Sequence, residues 1–275
     1  FAAGMRRTRM ERPLFTLAKG NSPLVATAIH DGHAVRKDVE DLLAIGEAER
    51  LREEDPYTGR MTDFADTRVI VQRSRFEVDL NRARDKAVYL SPEDAWGLQV
   101  WRELPPLPML EKSLREYDTF HMEMRSLLQE LVDGFGRFVV YDVHTYNHRR
   151  SGANEPPEDP EKNPEVNIGT GWMERGRWAS LVDRFITDLR SFDFFGRSLD
   201  VRENVKFRGG NFSRWIHESF PKSGCCLAIE IKKFFTDEWT GKADPEQIAA
   251  ISRALHATTK GVLEELAGSR SGAFA

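Results

Sequence analysis

Two short apolar runs constrain this chain more than any other feature, because each delivers a histidine at its end. Leu24-Val-Ala-Thr-Ala-Ile29 runs straight into His30, and Arg137-Phe-Val-Val-Tyr-Asp-Val runs into His144. A continuous apolar run of this length, bounded by polar residues, reads as a strand buried on both faces. Cys225 to Ile231 has the same character, and Arg68 to Gln72 and Phe76 to Leu80 are β-branched or alternating stretches that read as further strands. Between them lie segments of helical period. Val35 to Arg52 carries Val39, Leu42, Leu43 and Ile45, and Leu110, Leu114, Tyr117, Met124, Leu128 and Leu131 mark a long helix ending near Gly134. Trp178 to Leu189 reads as another helix, and a shorter one runs through Trp215 and His217. Ser91-Pro92-Glu93-Asp94 and Asp244-Pro245-Glu246-Gln247 are helix starts, with an N-cap, an early proline and acids that suit the dipole.

Strands alternating with helices predict a three-layer α/β/α fold with a central mixed, mostly parallel sheet, of the phosphorylase/hydrolase-like kind. The 275 residues suffice for one large domain, expected over 21–270 after an N-terminal extension over 1–20. Hydrophobic residues at 40% and charged residues at 31% suit a globular chain. A net charge of −4 gives no basic field for nucleic acid or an anionic membrane surface, and no apolar run is long enough to span a bilayer. The first 13 residues carry four arginines and no apolar core, unlike a signal peptide. The adjacent Cys225 and Cys226 are poorly placed to bridge one another, which predicts reduced thiols and a cytoplasmic protein. Residues 150–165 are polar with four prolines; such a loop is a mobile lid beside a site or a surface insertion. None of these features bears on oligomeric state.

Ligands of α/β sheets gather at the carboxyl ends of strands, where His30, His144 and Glu230 all fall. His30-Asp31-Gly32-His33 can aim two imidazoles at one ion, Gly32 allowing the tight turn, or can be two hydrogen-bonded histidines at a strand end. The period of 2 puts Asp142 on the face of His144, where a carboxylate can orient the imidazole. Arg75-Phe-Glu-Val-Asp-Leu-Asn-Arg82 brackets a short strand with guanidinium forks suited to carboxylates; on spacing alone, pairing with Glu77, Asp79 and Asp85 is the stronger reading. Glu230 stands between two isoleucines. It is either a buried carboxyl of raised pKa, suited to proton transfer, or a solvent-facing group on an edge strand beside Lys232. Gly209-Gly210, ahead of a helix, either lets a substrate approach main-chain N–H groups or is only a tight turn.

Together these segments resemble the N-formylglutamate amidohydrolase family, within the wider zinc carboxypeptidase and aspartoacylase-like group. The likeness extends from Ile29–His33 through Arg75–Arg82, Asp142-Val-His144 and Asn167-Ile-Gly-Thr170 to Gly209-Gly210, with Asp79-Leu-Asn-Arg82 and Asp142-Val-His144 its specific parts. It implies a zinc-dependent hydrolase that cleaves an N-formyl or other N-acyl amino acid, most specifically N-formyl-L-glutamate. It also implies roles: His144 and His30 as zinc ligands, Glu230 as general base, and Asn81, Arg82 and Arg75 on a substrate carboxylate, with Gly209 and Gly210 beside it. The pattern departs at position 33, where carboxypeptidase-like enzymes carry Glu. His33 is therefore the expected further ligand, with Glu54 or Asp55 as the alternative. The partner implied is a small carboxylate-bearing molecule, with no nucleic acid and no membrane. The rival readings are a hydrolase of another N-acyl amino acid or peptide, and a metal- or ligand-binding protein without turnover.

Overall fold

The computed structural model describes residues 12–268; the arginine-bearing stretch before Arg12 lies outside them. Seven strands form one mixed sheet: β1 (Phe15–Ala18), β2 (Leu24–Ala28), β3 (Thr67–Val71), β4 (Phe138–Tyr146), β5 (Val166–Gly169), β6 (Val201–Glu203) and β7 (Gly224–Lys232). Their order is β1-β3-β2-β4-β7-β5-β6. Four of the six pairings are parallel, and only β1 on β3 and β5 on β7 run antiparallel. The expected mixed, mostly parallel sheet is therefore present. Part of the stretch read as an N-terminal extension pairs into it as the edge strand β1.

Helices cover both faces. They are α1 (Lys37–Leu42), α2 (Glu47–Glu53), α3 (Thr58–Met61), α4 (Leu107–Phe135), α5 (Ala179–Ser191), α6 (Asn211–Ser219) and α7 (Pro245–Gly268). The two-residue period of β4 sorts its side chains. Val139, Tyr141 and Val143 enter a core shared with Phe185 of α5 and Leu255 of α7. Phe138 and Val140 enter the opposite core with Phe120 and Leu128 of α4 and Ile216 of α6. Asp142 and His144 have the parity of this second face, so the same alternation that builds the core carries chemistry at its open end. A third, smaller core gathers Val39, Phe76, Tyr89, Trp101 and Met109 beside the site.

Three sequence expectations change. The single helix over Val35–Arg52 is two helices, because Leu43 turns extended, bridges Trp101, and lets Ala44 N–H donate to Val100 at 2.8 Å. Gly46 then caps α2, its N–H donating to Glu49. Phe76–Leu80 is not a strand: Glu77 N–H closes a turn on Ser74 at 3.0 Å, and Asp79 N–H reaches Ala87 at 2.6 Å. Its alternation reports burial in two different cores, Phe76 in the third and Val78 and Leu80 in the second, rather than sheet pairing. The start at Ser91-Pro92 yields only the 3₁₀ turn Pro92–Ala95, which ends where Trp96 adopts φ 54°. The long loop 150–165 has one 3₁₀ turn, Pro160–Lys162, whose carbonyls at Pro160 and Glu161 accept from Arg202 at 2.7 and 2.8 Å. No helix among the described residues is long and apolar enough to cross a membrane.

Candidate active site

A cleft of about 390 Å³ opens at the carboxyl ends of β2, β4 and β7. His30 stands just past β2, His144 near the end of β4, and Glu230 lies in register with His144 on the adjacent strand. The interior place of β7, between β4 and β5, removes the edge-strand reading of Glu230. Part of the Glu230 side chain faces the cleft. Burial pushes its carboxyl up to about 7; His144 and His30 oppose that rise, and Asp55 and Asp142 add to it.

Asp55 completes the centre. One of its carboxylate oxygens lies 3.3 Å from Nδ1 of His30 and 3.1 Å from Nδ1 of His144, with all three residues buried. One donor atom from each falls within 4.8 Å of the others. Both imidazoles are oriented from behind: His30 Nε2 meets Asp79 at 2.7 Å and His144 Nε2 meets Asp142 at 2.9 Å. Asp142 in turn accepts from the Thr27 hydroxyl at 2.7 Å. An ionised carboxylate only accepts, so Asp79 and Asp142 fix a proton on each Nε2, and a cation held between the two Nδ1 atoms and Asp55 would meet nitrogen lone pairs. Two imidazole nitrogens and a carboxylate thus converge on one buried point, and His30 Nδ1 has no hydrogen-bond partner among the described residues. Such a donor set suits a divalent cation of the zinc type. Burial is outweighed by the two imidazoles at Asp55, which is held far below the usual carboxylate range. Burial is likewise outweighed at His144, which Asp142 raises well above the histidine value, with Asp55 and Glu230 adding.

His33 does not join this centre. Its Nδ1 meets Glu54 at 2.5 Å and its Nε2 meets Glu47 at 3.3 Å, with about a third of the side chain (32%) in solvent. Glu54 holds that imidazole above its ordinary value. The expected HxxH pair is thus divided. Asp55, weighed as the alternative, turns to His30 and His144, while Glu54 turns to His33 and the Ser74 hydroxyl.

Asp79 is the hub of the Asp-Leu-Asn-Arg string. It accepts from His30, from Arg75 at 2.8 Å, from the Asn81 N–H at 2.8 Å and from the Tyr89 hydroxyl. Arg75 is therefore committed to an ion pair, as spacing suggested, yet it is largely buried at the cleft wall rather than on a surface strand. Asn81 Oδ1 accepts from the Phe212 N–H at 2.9 Å and so anchors α6. A Cβ on Gly210 would come within 2.3 Å of the Asn81 amide, so this glycine is required by close approach. Gly209 has φ +104°. Arg82 is freer, its side chain 39% exposed and 3.8 Å from Asp79.

Four further side chains of the cleft are Arg208, which belongs to the Lys206–Asn211 turn ahead of α6, and Arg150, Trp96 and Lys233. Arg208 is exposed, and its guanidinium has no hydrogen-bond or ion-pair partner among the described residues. Arg150 forks onto Glu53 at 3.0 and 3.3 Å. Trp96, nearly half exposed, stacks on Arg75. Lys233 lines the cleft and is buried. Arg208 stood next to the glycines already singled out. The other three carry no local signal, since only folding brings them to the cleft.

The N-formylglutamate amidohydrolase family model matches residues 22–235. No curated protein matches the chain. Among solved structures, the N-formylglutamate amidohydrolase from Ralstonia eutropha JMP134 is similar, with a TM-score of 0.72 and 18% identity over 95% of this chain and 100% of that one. The gene product Atu2144 from Agrobacterium tumefaciens gives 0.60 and 18%, over 95% of this chain and 96% of that one. At such identities the likeness to the two structures is one of fold.

Proposed function

Because the chain belongs to the N-formylglutamate amidohydrolase family, we propose that it uses zinc to hydrolyse N-formyl-L-glutamate to formate and glutamate. The observation that carries the metal part is the convergence of three acceptors, His30, Asp55 and His144, on one buried point. A zinc ion held by those three side chains would supply a Lewis acid, polarising the formyl carbonyl and lowering the pKa of water toward ~7.

The chain's own residues supply the rest. Glu230, beside that point, takes a proton from the water that attacks the formyl carbon. It returns this proton to the amine nitrogen as the C–N bond breaks, so one water is consumed and formate and an amino acid leave. Asp79 and Asp142 keep the two imidazoles in the tautomer that offers Nδ1 to the centre. The substrate carries two carboxylates, and the cleft offers two lightly engaged guanidiniums, Arg82 and Arg208. Asn81 and the Gly209-Gly210 turn shape the wall between β7 and α6, and Arg75 holds Asp79 in place.

The reading is tested by removing metal with a chelator, following formate release from N-formyl-L-glutamate, and restoring zinc. Release should vanish and return. Full activity after complete metal removal would refute it, and faster turnover of another N-acyl amino acid would move the substrate assignment.

A further inference from the structure

We propose that Lys233 is a positioning residue of the metal centre, holding the segment that presents Asp55. The inference rests on Asp55 being a ligand alongside His30 and His144. Lys233 follows β7 directly and is only 2% exposed, yet its ammonium forms no close ion pair among the described residues. It donates instead to two main-chain carbonyls, Arg52 at 2.6 Å and Glu54 at 2.8 Å. Those carbonyls flank the end of α2, where a helix leaves its last C=O groups without internal partners. A cation there suits both the unpaired acceptors and the negative end of the helix dipole.

The placement matters because Asp55 follows at once. Asp55 N–H donates to the His30 carbonyl at 3.0 Å, and the Thr145 hydroxyl steadies its other carboxylate oxygen at 3.1 Å. Asn147 adds a second donor to the Arg52 carbonyl at 2.9 Å. Lys233 itself is set by its N–H on the carbonyl of Tyr146, at 3.0 Å, where β4 ends. One lysine thus links the ends of β4 and β7, which carry His144 and Glu230, to the chain that carries Asp55. Burying an ammonium is costly unless several acceptors compensate it. Here the compensation falls on the two residues that set the direction of the chain into Asp55.

The test uses the whole 275-residue chain with Lys233→Met, which approximates the length and removes the side-chain donors, and Lys233→Gln, which keeps an uncharged N–H donor group. Zinc affinity is measured by competition with a chromophoric chelator, and exchange of the Asp55 amide is followed in the metal-free proteins. The Met variant should bind zinc 10–100-fold more weakly than the parent, the range for loss of a partner that orients a ligand. Its Asp55 amide should exchange faster, and the Gln variant should fall between Met and the parent in both. Zinc affinity within threefold of the parent in a folded Met variant would overturn the proposal. So would failure of both variants to fold, which would assign Lys233 to the fold itself. A parent protein with no zinc affinity would instead remove the metal reading on which the inference rests.

Discussion

Glu230 and His144 sit in register on adjacent parallel strands, so their side chains leave the sheet on the same face, side by side at the cleft. In the proposed mechanism that adjacency couples a proton-transfer group to the centre formed by His30, Asp55 and His144. Glu230→Gln should lower formate release by ~10²–10⁴-fold, the usual contribution of a positioned acid–base group, while zinc content stays near one per chain. Turnover retained at parental rate in that variant would remove Glu230 from the chemistry. Loss of zinc along with activity would recast it as part of the metal site.

The pH dependence follows from the same group. Burial pushes the Glu230 carboxyl up to about 7, and a neighbouring cation pulls it down. The general base works in its deprotonated form, so kcat/KM should fall as pH drops through this pKa. The midpoint should lie at or below about 7, and below it the rate should lose roughly tenfold per pH unit. A profile that rises on acidification through this range would contradict the assignment.

Ligand identity separates Asp55 from His33. Asp55→Ala should strip zinc from the protein after dialysis, read as metal per chain by atomic spectrometry. His33→Ala should keep it, since its partners are Glu54 and Glu47. The reverse pattern would restore the histidine pair as the ligand set.

Arg208→Ala tests the proposed contact with the acidic side chain of N-formyl-L-glutamate. A charge-assisted hydrogen bond contributes about 1.5–3 kcal/mol, so kcat/KM for N-formyl-L-glutamate should fall roughly 10- to 150-fold. The value for an N-formyl amino acid with an apolar side chain should change little. Equal losses on both substrates would place Arg208 elsewhere in the reaction.

Cys225 and Cys226 are free and fully buried on β7, and burial pushes both thiols well above their ordinary value. The native protein should therefore leave a colorimetric thiol reagent unreacted over minutes, and denaturation should release two equivalents. Rapid labelling of the folded chain would show that β7 opens.

Much of this protein was legible along the chain because periodicity is a local property. The apolar runs ending in His30 and His144, the Asp142 two residues before His144, and the long helix now seen as α4 follow from patterns within a few residues. Those patterns report burial, however, and burial does not name its partner. Phe76–Leu80 alternates as a strand does, yet its side chains serve two separate cores. His33 has the spacing of a ligand, but the turn after β2 carries it to Glu54.

By itself, then, the sequence determined a mixed sheet flanked by helices and the strand ends that bear His30, His144 and Glu230. The tertiary structure decided the third member of the centre. Asp55 lies 25 residues beyond His30 in the chain, and its approach depends on where α2 ends and on contacts from Lys233, Asn147 and Thr145, all remote in sequence. The same holds for Arg150, Trp96 and Lys233, whose spacing carries no period. Side-chain chemistry and local spacing are properties of the chain, whereas the meeting of distant segments is set by how the layers pack.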